Sequence, residues 1–129
     1  VPIVAGTTST YGQGGPQLIA SVCQTVRQGA PAALRPPFTA AGISHYLTGA
    51  QPVARRVDVS LRRIARSGSS ARLHLLVQEL GQLRLAYRTA PVLLHGPGGA
   101  AAAGRQIVVR EGAVSAAARN AGYPSCSVG

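Results

Sequence analysis

"RRVDVSLRRIARSGSSARLHLLVQ", Arg55 to Gln78, decides how this chain is read. Val57, Val59 and Leu61 alternate with Arg56, Asp58, Ser60 and Arg62, a two-residue period that predicts a half-buried strand. "RSGSSA" supplies turn residues, and beyond it Leu73, Leu75 and Val77 alternate with Arg72, His74 and Gln78, with Leu76 out of step. The chain turns again at Gly81, after which Leu83, Leu85 and Tyr87 alternate with Arg84, Ala86 and Arg88. A three-stranded antiparallel meander is therefore expected, ending at Pro91.

Outward from this centre, "YGQGG" joins two extended segments, Ile3 to Thr10 and Leu18 to Val26, as an N-terminal β-hairpin over 1–28. The second segment also fits a helix, because Leu18, Val22 and Val26 recur every four residues. The main sheet is expected over 43–95. "GPGGAAAAG" reads as a hinge, followed by a helical tail over 99–121 that Asn120 or Gly122 would end, with Pro124 beyond. The fold class is α+β, an antiparallel meander sheet with an N-terminal hairpin and a C-terminal helical tail, in one domain over 1–129.

The 129 residues carry 13 Lys+Arg, every one an arginine, against three Asp+Glu, for a formal charge of +10. Such an excess repels itself unless an anionic partner or an assembly neutralises it, and arginine's planar fork suits phosphate. No apolar run reaches the length of a membrane span, and no signal peptide is expected in the chain. Cys23 and Cys126 could form an internal disulfide, link two chains or remain reduced.

The polar side of the meander collects Arg56, Arg62, Arg66, Arg72, Arg84 and Arg88, with His74 and the single acid Asp58. Like charges opposed across strands destabilise a sheet, so the pattern points to a polyanion lying on this face. A solvated arginine face that only confers solubility is the plainer alternative. With one Phe and four scattered Tyr, the face lacks base-stacking platforms, which favours phosphate contact over stacking.

The order "RRVDVSLRR", polar turn, "ARLHLLVQE", together with "AGISHYLTGAQPVARR" before it, resembles the coat proteins of single-stranded RNA bacteriophages, the levivirus-like capsid family. The resemblance implies a homodimer joined through sheet edges and C-terminal helices. Dimers of that kind assemble into an icosahedral shell around single-stranded RNA, and the sheet can repress translation by holding an RNA hairpin. The positions similar to the family's RNA-facing ones are Asp58, Ser60, Arg62, Arg72 and His74; Arg56, Arg66, Arg84 and Arg88 join them by strand parity. The location implied is the virion, assembled in the cytoplasm of a bacterial host, with no cofactor, no membrane partner and no small-molecule substrate.

Catalysis is not expected. His45, His74 and His95 have no metal-ligand spacing, no nucleophile elbow occurs, and three carboxylates are too few for a glycosidase pair. The alternatives to a coat are a basic nucleic-acid-binding domain that does not assemble and a small ribonuclease using His74, Glu79 and Arg84.

Overall fold

The computed structural model describes residues 17–66 and 71–128, and they form helices with no strand among them. Helix α1 covers residues 17–27, α2 Ala40–Ala65, α3 Ala71–Leu94 and α4 Gly99–Asn120, followed by a 3-10 turn, Pro124–Cys126. The α+β expectation is thereby corrected. The segment read as the main sheet is two long helices, and Leu18 to Val26 is helical rather than a strand. The expected strand Ile3 to Thr10, the "YGQGG" turn and most of the "RSGSSA" turn lie outside the described residues. With no sheet among the described residues, dimerisation through sheet edges has no structural basis there.

The physical reason is the spacing of the buried positions. On α3 the core residues Leu73, Leu76, Leu80, Leu83, Tyr87 and Ala90 follow one another at alternating steps of three and four. On α2 the run is Ile43, Leu47, Ala50, Ala54, Val57 and Leu61. On α4 it is Gly104, Ile107, Glu111, Val114 and Ala118. A three-four alternation keeps one stripe of a helix facing its neighbours, the pattern of near-parallel bundles. The two-residue alternation was completed by apolar residues that face water between buried ones: Leu75 is 55% exposed and Val59 43%, whereas Leu76, the residue out of step, is 0% exposed.

Local signals set the ends. The Thr39 hydroxyl accepts the Gly42 N–H at 3.0 Å and caps α2. Gly98 and Gly99 have positive φ at the turn into α4, and Gly122, at φ 86°, ends it. Pro52 and Pro91 sit inside α2 and α3. Proline removes a backbone hydrogen bond from a helix interior, so these helices depend on their packing rather than on propensity.

Helix α3 is central, packing against α2 on one side and α4 on the other. Arg72 at its start donates to the Asn120 carbonyl at the end of α4, 3.1 Å away, so α3 and α4 run antiparallel. Gly104 lies where the Phe38 ring crosses α4; a Cβ there would meet the ring at 2.2 Å. Helix α1 contributes Ile19, Cys23 and Val26 to the core. Cys23 is joined by a disulfide to Cys126, closing a loop of 103 residues; the chain-entropy model assigns such a crosslink about 4–5 kcal/mol. Ser115 Oγ holds the C-terminal segment further, donating to the Val128 carbonyl and accepting its N–H.

Candidate functional site

An open groove of about 910 Å³ runs along α2 and α3 and carries much of the basic charge. From α2 it is lined by Thr48, Gln51, Pro52, Arg55, Arg56, Val59 and Ser60, from α3 by Arg84, Tyr87 and Arg88, and from α1 by Val26. Helical geometry explains the set. Thr48, Gln51, Arg55 and Val59 recur at three- and four-residue steps, and Tyr87 and Arg88 lie three and four residues after Arg84, so each group occupies one side of its helix.

No acid among the described residues lines this groove. Both ion pairs among the described residues belong to Asp58, which is 1% exposed. Its Oδ1 accepts from Arg62 Nε at 2.8 Å and its Oδ2 from Arg84 Nη1 at 2.7 Å. Asp58 thus lies beneath the groove and aims Arg84 from below. Arg55, Arg56 and Arg88 line the same concavity and have no acid partner among the described residues. Their mutual repulsion is relieved by an anion between them.

Of the residues expected to face RNA, the structure brings Arg56, Ser60, Arg84 and Arg88 to the groove. Asp58 does not face a ligand; burial and two arginines make it an anchor. Arg62 is spent on Asp58, its guanidinium lying over Gly81. Arg66 is exposed at the C-cap of α2, outside the groove. Arg72 holds the end of α4, and His74 is exposed on α3 outside the groove. The ribonuclease set does not assemble: ten residues of helix separate His74 from Arg84, about 15 Å along the axis. Strand parity missed Arg55, Gln51 and Thr48. Counting by three and four from Arg55 would have found them.

A second polar feature is buried where α2, α3 and α4 meet. Glu111, 7% exposed, accepts from the Tyr46 hydroxyl and, at 2.5 Å, from the Tyr87 hydroxyl. The two rings stand edge to face with centroids 6.4 Å apart. Burial pushes the Glu111 carboxyl above its ordinary value, and the two tyrosine hydrogen bonds oppose that rise. Burial, with the nearby Glu111, pushes both tyrosines up as well. Since both hydroxyls are committed to Glu111 and no cation among the described residues joins them, the arrangement is a lock between three helices.

Among the described residues no cluster of His, Cys, Asp and Glu could hold a metal ion, and no helix is long and apolar enough to cross a membrane. Neither a family model, nor a curated protein, nor a solved structure matches the chain.

Proposed function

We propose that this protein is a binding protein for phosphate- or carboxylate-bearing ligands, and that the groove between α2 and α3 is where they bind. One observation carries this reading: Arg55, Arg56, Arg84 and Arg88 line one concavity, and no acid among the described residues lines it. Guanidinium forks hold phosphate and carboxylate oxygens two at a time, and Arg84 is already oriented by Asp58. Single-stranded RNA remains one anion such a groove could take. The sheet that the coat resemblance implies does not occur among the described residues. The Cys23–Cys126 disulfide supports an oxidising compartment, since such bonds are rare in the cytosol.

The test is titration of the protein with polyphosphate and with a single-stranded oligonucleotide over a range of salt. Affinity should fall with salt, and Arg55→Ala with Arg56→Ala should weaken it and flatten the dependence on log salt by about 1.4, from ~0.7 per phosphate contact on a single strand. Arg105→Ala with Arg119→Ala removes the same charge from exposed positions on α4 and is the control. An equal loss in the control would show that net charge, and not the groove, binds the anion.

A further inference from the structure

Val26 and Tyr87 line the arginine groove and also a second space. This is a cavity of about 190 Å³ beside the Cys23–Cys126 disulfide, walled by Val53, Val57, Leu80 and Leu83. Of the α2 residues on that wall, Ala50 and Ala54 are small and leave room beside Tyr46, Val53 and Val57. Tyr87 and Tyr46 reach it, but their hydroxyls are held by Glu111, so they offer it chiefly carbon. Arg27, Ser125 and Ser127 are the polar residues of its lining, and the others are apolar or aromatic. An apolar cavity of about 150 Å³ admits a benzene-sized guest; this one is larger and partly open, with Ala30 exposed.

A mainly apolar cavity that shares lining residues with an acid-free arginine groove has the shape of a head-and-tail site. We propose that the two together bind one anionic amphiphile. Its phosphate or carboxylate head rests on Arg55, Arg56, Arg84 and Arg88, and its short alkyl chain or ring passes Val26 and Tyr87 into the cavity. The proposal rests on the groove reading and narrows it: a bare polyanion fills the groove alone and leaves the cavity empty, whereas an amphiphile fills both.

Calorimetric titration with the series from ethyl to decyl phosphate, below micelle-forming concentrations, tests this, with polyphosphate as the headgroup-only reference. Each added methylene should tighten binding about fourfold, the equivalent of ~0.8 kcal/mol, until the cavity is full, after which affinity levels off. Ala54→Leu should bring the plateau to shorter chains. Ala30→Leu, at an exposed position on the same cavity, does so without crowding the core should the first variant fail to fold. Arg55→Ala with Arg56→Ala should weaken every member by a similar factor and leave the gain per methylene intact. Affinity independent of chain length, with polyphosphate still bound, overturns the amphiphile and leaves the groove standing. So does a gain that continues without a plateau and ignores both leucine variants. Failure to bind either polyphosphate or any alkyl phosphate sinks both readings.

Discussion

Asp58 and Glu111 are two of the three acids in the chain, both are buried, and the protein answers them in opposite ways. Asp58 lies under the α2–α3 surface and is met by two arginines whose outer atoms reach water, at 49% and 31% side-chain exposure. Glu111 lies among three helices and is met by two neutral hydroxyls. A carboxylate near the surface can recruit cations at small desolvation cost to them, while one in the interior is cheaper to satisfy with groups that carry no charge. The difference separates their roles. The Asp58 node orients a cation at the groove, whereas the Glu111 node ties α4 to α2 and α3.

The largest effect should come from taking away both partners of Asp58. Arg62→Ala with Arg84→Ala leaves a buried carboxylate without a cation and should cost about 3–5 kcal/mol in urea unfolding. Asp58→Asn, which removes the charge and leaves two solvated arginines, should cost less, about 1–3 kcal/mol. If the acid's own replacement proved the more damaging, the asymmetry between buried acid and exposed cations would be wrong.

Glu111 should reveal itself through pH. Its carboxyl titrates above the ordinary 4.5 in the folded protein, so the unfolded chain releases that proton first. Stability from this group is complete below 4.5 and declines as pH rises through the elevated folded value. Glu111→Gln should abolish that decline; a stability profile over this range identical to that of the parent would assign the slope to another group. At the alkaline end both tyrosines hold their protons beyond 10.0, so stability should fall again above that pH, and less steeply in Tyr87→Phe.

The smallest effects sharpen the contrast between the two sides of α4 that Glu111 divides. Gly104 shares its buried face and receives the Phe38 ring, so Gly104→Ala should cost about 1–3 kcal/mol by overpacking. Gly112 is the next residue in the chain but meets nothing within 4 Å, and Gly112→Ala should raise stability by about 1 kcal/mol. Thermal melts of the two variants moving in the same direction would contradict that division.

Much of the helical pattern was present in the sequence but masked. Leu73, Leu76, Leu80, Leu83, Tyr87 and Ala90 form an unbroken three-four series. Exposed apolar residues, Val59, Leu75 and Leu85, overlaid a false two-residue period over windows of about five residues. Pro91, read as the end of a strand, reinforced the error, because it sits inside a helix that packing sustains. Where a single residue decides the local conformation, the reading was sounder: Gly122 takes the left-handed conformation beyond α4, and Pro124 opens the turn after it. The basic face was half legible for the same reason. Parity points to Arg56, Arg84 and Arg88 and the resemblance to Ser60, while neither points to Arg55, since a strand separates neighbours by a half-turn and a helix by only about 100°.

By itself, the sequence determined the charge, the all-arginine chemistry of its cations, the pair of cysteines available for bonding and the stop signals after the last helix. These are properties of single residues or of short stretches. Only the tertiary structure decided which acids are buried, that Arg84 reaches Asp58 across 26 residues and Tyr46 reaches Glu111 across 65, and that an apolar cavity adjoins the arginine groove. Such arrangements follow from how helices stack, and the same local pattern of apolar and charged residues is compatible with several stackings until the core is packed.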